Sequence, residues 1–291
     1  NGMAREWQEA IGLALEDNFG EYKAPTIWMP GQAKLKKATG LREIKDRPTG
    51  NWDETRVTVG PTKVDGSLTL EVAPGREAII QQMLARRLTG DYAYQTMNSF
   101  TVVQVIGDYQ NPTEMFVNTG VCVNKGTFNC ASGEDLIFNA DVIGRARTRS
   151  NSPLLPNWST TPPAPYVFEE LVAGIGGAYE YHLDTVETSF DHQLKDDRFG
   201  PSFLLQYIPS DGRAVTQKID HWYEHPQLWD KAMAREAIAT TLLFTRGVYS
   251  FAISLPLCYA SEGDQEAGKQ PLELLARKPA GSEIVTFTTT P

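Results

Sequence analysis

The sequence is short of cysteine, of long apolar runs and of positive charge. Its three cysteines, Cys122, Cys130 and Cys258, are too few and odd in number for a disulfide framework in a chain of 291 residues, and they fit folding in a reducing compartment. No apolar run approaches the ~18 residues a membrane-spanning helix needs, so no membrane insertion is expected. The opening Asn1–Trp7 lacks the basic and apolar pattern of a secretion leader, and Met3 reads as the natural start. The net charge is −9, and the acidic surplus is concentrated late in the chain. Up to residue 165 there are 17 Lys and Arg against 18 Asp and Glu; from 166 onward there are 10 against 18. A module built to grip phosphates needs the opposite sign, which disfavours dedicated nucleic-acid binding. A surface that nucleic acid passes without sticking stays open.

Hydrophobic residues make up 41% and charged residues 22%, enough for a packed core. The length suits two units of ordinary domain size. Residues 1–60 read as an N-terminal arm and long loop, punctuated at Pro25, Pro30-Gly31, Gly40 and Pro48-Thr49-Gly50. A first unit spans 61–150, a Pro-rich linker 151–165 and a second unit 166–291. Val64, Gly66, Leu68, Leu70 and Val72 alternate with polar residues, the period of a half-buried strand. A helix is expected over Arg76–Leu88, with Ile79, Ile80, Met83, Leu84 and Leu88 on one face. Strands follow at Phe100–Ile106, Val121–Cys130 and Leu136–Ile143. In the second half, strands are expected at Tyr179–Leu194, Arg213–Glu224, Ala239–Thr245, Val248–Tyr259, Pro271–Ala276 and Glu283–Thr289. A helix over Gln227–Arg235 should carry Leu228, Trp229, Ala232 and Met233 on one side. The fold class is therefore mainly β with one helix per half, an α+β chain.

The order strand, proline, helix, strand, long strand, last strand occurs twice, around Pro74 and Pro226. The helix faces align at an offset of 149 and the strands before them at one near 151, which points to duplication.

Reactive centres are hard to find. His221-Trp222-Tyr223-Glu224-His225 matches the H-x-x-E-H pattern of one zinc peptidase class. That chemistry needs both histidines on one helical face, whereas Pro226 disfavours helical backbone at His225. Gly174-Ile175-Gly176-Gly177 has neither a following Lys-Ser/Thr nor a completed dinucleotide fingerprint and reads as a flexible loop. Asp196-Asp197 and Glu169-Glu170 read as solvated carboxylates. The even spacing of Cys122 and Cys130 puts them on one strand face, too far apart to bridge. No catalytic residue, metal site or cofactor is expected.

Several segments, in order, resemble the tail tube proteins (major tail proteins) of long-tailed bacteriophages. Ile11–Gly20 resembles the family's opening motif. Gly120–Arg145 resembles its long hairpin, Val186–Leu194 the strand opening its second half, and Phe251–Pro256 a strand near its end. The resemblance implies a β-sandwich-like tube fold, here duplicated, that contributes strands to a β-barrel between subunits. It implies a structural virion protein of the tail, assembled in the host cytoplasm. Such subunits stack as rings around a channel through which double-stranded DNA is ejected without tight binding, and they meet other tail proteins at the tube ends. Duplication makes the ring a trimer with pseudo-sixfold symmetry; without it the ring is a hexamer. Channel-lining residues are expected among Glu134, Asp135, Asp141 and Glu273. Contacts between subunits are expected from Lys34, Lys36, Lys37, Arg42, Lys45, Arg47 and Trp52, with Leu35, Leu41 and Ile44 adding apolar burial. The alternatives are a tail terminator or baseplate ring protein, a carbohydrate-binding β-sandwich, or a metallohydrolase using His221, Glu224 and His225.

Overall fold

A computed structural model describes residues 9–44, 56–87, 96–108, 111–157, 163–179, 183–200, 202–222, 226–260, 269–281 and 283–290. The first half contains β1 (Glu9–Leu15), β2 (Ile27–Ile44), β3 (Arg56–Glu71), α1 (Glu77–Leu84), β4 (Arg86–Arg87), β5 (Thr96–Met97), β6 (Phe100–Asp108), β7 (Asn111–Ala131), β8 (Ile137–Gly144) and β9 (Ala146–Ser150). The second contains β10 (Leu171–Ile175), β11 (Ala178–Tyr179), β12 (Leu183–Asp191), β13 (Ala214–Trp222), α2 (Pro226–Met233), β14 (Ile238–Arg246), β15 (Tyr249–Ala260), β16 (Lys269–Ala276) and β17 (Thr286–Thr290). The mainly β character with one helix per half is what the sequence pattern led us to expect.

Fifteen strands form one antiparallel sheet. In the first half it closes on itself, β1 pairing β2, β2 pairing β3, β3 pairing β8, β8 pairing β7, β7 pairing β6 and β6 pairing β1. The long strand β7 makes closure possible. It pairs β6 as far as Val121 and β8 from Cys122 onward. The corner falls at Gly120, whose φ of +66° suits a residue without Cβ.

The second half repeats this scheme. β12·β13, β13·β16, β16·β15, β15·β14, β14·β10 and β15·β17 correspond to β2·β3, β3·β8, β8·β7, β7·β6, β6·β1 and β7·β9. The registers agree: Leu68 pairs Ala140 in the first half and Ile219 pairs Leu272 in the second, an offset of 151 between Leu68 and Ile219. One pairing has no counterpart among the described residues. β12, the equivalent of β2, does not close onto β10; it pairs β7 of the first half instead, from Thr185↔Ala131 to Asp191↔Lys125.

The expected N-terminal arm and long loop up to residue 60 is corrected by the strands found there. β1 lies between β2 and β6 with Ile11 and Leu13 fully buried. Its lack of alternation has a physical cause: Ala10 and Ile11 belong to different core clusters, so both faces of the strand are covered. β2 and β3 form a hairpin paired out to Ile44↔Arg56. Ala33 and Leu35 of β2 sit in the main core, so Leu35 is not free to bury against a neighbour. Lys45, Arg47 and Trp52 lie outside the described residues.

Four further expectations change. α1 stops at Leu84, short of Leu88, because Ala85 is extended and Asn98 caps the end, donating to the Ala85 carbonyl from its backbone and to the Gln82 carbonyl from its side chain. The Gly174–Gly177 stretch is a tight hairpin, not a flexible loop: β10 pairs β11 across Gly176 and Gly177, both at positive φ. A register shift between Val123 and Lys125 reverses the parity of β7, so Cys122 and Cys130 fall in separate core clusters despite their even spacing. In α2, Ala232 is buried while Met233 is 64% exposed, contrary to the shared face expected of them.

The two halves share one core. Phe128 of β7 contacts Phe138 of β8, Phe190 of β12, Phe251 of β15 and Phe287 of β17, with ring centroids 4.9, 6.0, 5.6 and 6.3 Å away. After the Pro-rich stretch, Tyr166 inserts between the ends of β3 and β8. Its N–H donates to the Val72 carbonyl, its carbonyl accepts from Leu136, and its buried hydroxyl donates to Glu77 Oε1 at 2.5 Å. Burial, then the bond to Glu77, raises the phenol pKa far above its ordinary value. Tyr166→Phe keeps the ring but strands the buried Glu77 carboxylate. The expected loss is about 1–3 kcal/mol in urea unfolding of the subunit; no change would show that Glu77 finds another donor.

Candidate functional site

Eight consecutive strands, β2-β3-β8-β7-β12-β13-β16-β15, present one apolar and one polar face. The apolar face is the core: Leu68, Ala140, Phe128, Phe190, Ile219 and Leu272 are all buried. The polar face alternates with it residue by residue. One row reads Gln32, Thr69, Asn139, Thr127, Ser189 and Thr216 across adjacent strands, and the next Lys34, Ser67, Asp141, Lys125 and Asp191. Hydrogen bonds tie neighbours together, Thr69 Oγ1 to Asn139 Oδ1 at 2.9 Å and Thr185 Oγ1 to Asp220 Oδ2 at 2.7 Å.

Among the described residues this face carries Lys34, Lys36, Lys63, Lys125 and Lys218 against Asp65, Glu71, Asp141, Glu187, Asp191, Asp220 and Glu273. With Lys269, which opens β16 in the same register as Pro271 and Glu273, it is acidic by one charge. The ions are interleaved: Lys125 Nζ lies 3.7 Å from Asp191 Oδ2, and Lys63 bridges Asp65 and Asp196. Burial works to lower the Lys63 pKa, but the two carboxylates outweigh it and the net shift is upward.

The structure brings Asp141 and Glu273 onto this face, with Glu273 opposite Lys218. It leaves Glu134 and Asp135 in the turn between β7 and β8, where Asp135 forms a bridge with Val167. Lys34 and Lys36 are exposed on the polar face, and Lys37 is exposed on the opposite side of β2. Arg42 is paired with Thr58 in the outer hairpin. The polar residues Thr127, Ser189 and Thr216 were missed, although the strict alternation of Val186–Asp191 marks Ser189 in sequence.

Both ends of this eight-strand sheet are strand edges. β1 accompanies β2 only as far as Gly31, so within the described residues 32–44 pair β3 alone. At the other end, Tyr259 and Ala260 of β15 pair β16 alone. Exposed edges of this kind are templates for pairing with another chain.

Nothing on the sheet is arranged for covalent chemistry. Burial, aided by nearby carboxylates, pushes the Cys130 thiol up to about 12; burial pushes Cys258 up to about 11 and Cys122 higher still. All three thiols are buried and protonated at neutral pH. His221 lies in β13 in extended backbone, opposite Leu183 and Gln270, which removes the helical spacing that a zinc pair would need. Glu224 and His225 lie outside the described residues. Glu170 pairs with Arg246, Asp196 with Lys63 and Asp197 with Arg198. Among the described residues no cluster of His, Cys, Asp or Glu could hold a metal ion, and no helix is long and apolar enough to cross a membrane.

A long polar sheet face and buried thiols describe a β-sheet protein whose described residues are not arranged for covalent chemistry. The chain belongs to the phage tail tube protein family, whose sequence model matches residues 7–288. It is a structural component of the virion tail, not an enzyme, and family membership implies self-association into a tube. A search of the curated proteins finds no match.

Proposed function

We propose that three copies close into a ring whose channel is lined by the polar face, and that stacked rings form the conduit for double-stranded DNA. The observation that carries this is the β7–β12 junction. Inside one chain it joins the last of the first half's four strands in the eight-strand sheet, β7, to the first of the second half's four, β12. The pairing scheme makes β15 the counterpart of β7, and β2 the counterpart of β12. Among the described residues, those at 32–38 of β2, the counterparts of 185–191, pair β3 alone, and Tyr259 and Ala260 at the end of β15 pair β16 alone, while the counterparts of Lys125–Ala131 lie outside the described residues. Repeating the junction between chains, β15 of one copy onto β2 of the next, removes every edge from the eight-strand sheet. Three chains carrying two halves each then give pseudo-sixfold symmetry, and the duplication supplies six near-equivalent wedges.

The interleaved, slightly acidic face suits passage rather than binding. Surplus carboxylates repel phosphates, and lysines already flanked by carboxylates offer little to a polyanion. Native mass spectrometry of rings and electron microscopy of tubes test the proposal. Three chains per ring are expected, with six similar wedges in projection; six chains per ring would overturn the duplicated arrangement.

A further inference from the structure

The two halves present the same polar face with different charge. On the first half stand Lys34 and Lys36 of β2, Lys63, Asp65 and Glu71 of β3, Asp141 of β8 and Lys125 of β7, four lysines against three carboxylates. On the second stand Glu187 and Asp191 of β12, Lys218 and Asp220 of β13, and Lys269 and Glu273 of β16, two lysines against four carboxylates.

The internal repeat locates the difference. Asp141 and Glu273 are counterparts, at the offset of 132 between Ala140 and Leu272, so one acidic position is common to both halves. β2 and β12 are counterparts at an offset of 153, set by Ala33 opposite Leu68 and Val186 opposite Ile219. Lys34 therefore stands where Glu187 stands, Lys36 where Ser189 stands and Ala38 where Asp191 stands. Over 32–38, β2 brings two lysines and no carboxylate to this face; over 185–191, β12 brings two carboxylates and no lysine. β3, β8 and β7 lie between them, four strand spacings or about 19 Å. The screening length at physiological salt is about 8 Å, so the two strands act as separate fields on a nearby phosphate.

The other lysines of the first half are engaged. Lys63 is held by Asp65 and Asp196, and Lys125 lies 3.7 Å from Asp191 across the β7–β12 junction. Lys34 stands opposite Ser67, and Lys36 opposite Asp65, which Lys63 shares; both lysines are exposed.

We infer that the halves have specialised. The three β2 strands of a ring, through Lys34 and Lys36, form the side of the channel along which DNA phosphates run, and the three β12 strands, through Glu187 and Asp191, hold the duplex off. This rests on the proposed ring and channel. The wall is then sixfold in shape and threefold in charge. Two lysines per copy steer the duplex without gripping it, because salt readily competes for so few phosphate contacts.

Gln32 and Thr185 are matched positions on this face, one beside Lys34 and the other beside Glu187. Each is changed singly to cysteine and coupled to a photoactivated cross-linker; the three native thiols are buried. Short duplex DNA is admitted to assembled tubes, outside DNA is removed with nuclease, and the tubes are irradiated. At about 0.05 M salt the Gln32→Cys probe should capture roughly threefold more DNA than the Thr185→Cys probe, and at about 1 M salt, where the screening length is about 3 Å, the two should converge. Adding Lys34→Gln and Lys36→Gln should abolish the preference. Equal capture by both probes at low salt, or a preference that survives the lysine changes, overturns the specialisation and leaves the channel standing. Tubes that shelter no DNA from nuclease overturn the channel, and the specialisation with it.

Discussion

Phe128→Ala will lower the stability of the unassembled subunit by about 3–5 kcal/mol, the cost of removing a buried aromatic from a close-packed core. Phe128 touches rings from both halves, on β8, β12, β15 and β17. Its loss opens a cavity where strands of both halves meet. The surrounding rings are held by their own strands and can collapse only partly. With about 2–4 °C of melting temperature per kcal/mol at this chain length, the midpoint should fall by roughly 10 °C. The transition should stay single, because the cavity weakens both halves together. Phe128→Leu should recover most of the loss. A drop below about 1 kcal/mol, or two separated transitions, would show that the halves melt as independent domains.

That shared core was not legible in the sequence. The alternation of Val64–Val72 and Leu136–Ile143 identified half-buried strands because each has one wet face. β1 was hidden by burial on both sides, and its run of Ala10, Ile11, Leu13 and Ala14 has no period to detect. β2 was hidden by its lysines. Its period of two was present in Ala33-Lys34-Leu35-Lys36, but the density of positive charge suggested a solvated loop. The site followed the same logic. Asp141 and Glu273 fall on the polar face, as charged residues within a half-buried strand do, whereas Glu134 and Asp135 fall in a turn, which carries charge whether or not it adjoins that face. The pairing of β7 with β12 depends on contacts between residues about sixty positions apart, which no local pattern encodes. The repeat in element order was visible, yet only the registers turn it into a rule for where the open edges go.

Residues 33–44 form the outer part of β2, so deleting them would remove part of a strand of the closed barrel and two core residues, Ala33 and Leu35, and loss of assembly in such a variant would report unfolding.

Glu16→Ala should cost a comparable amount by a different route. Glu16 is 3% exposed. Its Oε2 accepts the Gly20 N–H at 2.8 Å, and its Oε1 accepts the Gly120 N–H at 2.8 Å and the Thr101 hydroxyl at 3.1 Å. Its own N–H donates to the Ser99 carbonyl. One carboxylate therefore ties the end of β1 to β6 and to the corner where β7 leaves β6 for β8. Bonds to a buried charged group contribute about 1.5–3 kcal/mol each, and losing the acceptor strands donors that water reaches poorly. The terms are not additive within one network, so about 3–5 kcal/mol is expected in chemical denaturation. Glu16→Gln keeps one acceptor oxygen and should recover part of this. The Gly120 amide should exchange with solvent faster in Glu16→Ala than in the wild type, because it loses Oε1, the carboxylate oxygen to which it donates. Tube formation should fall in parallel, since β7 carries both the barrel closure and the junction to β12. If Glu16→Ala unfolds within about 1 kcal/mol of the wild type, the corner is held by packing around Gly120 and Arg145 rather than by the carboxylate.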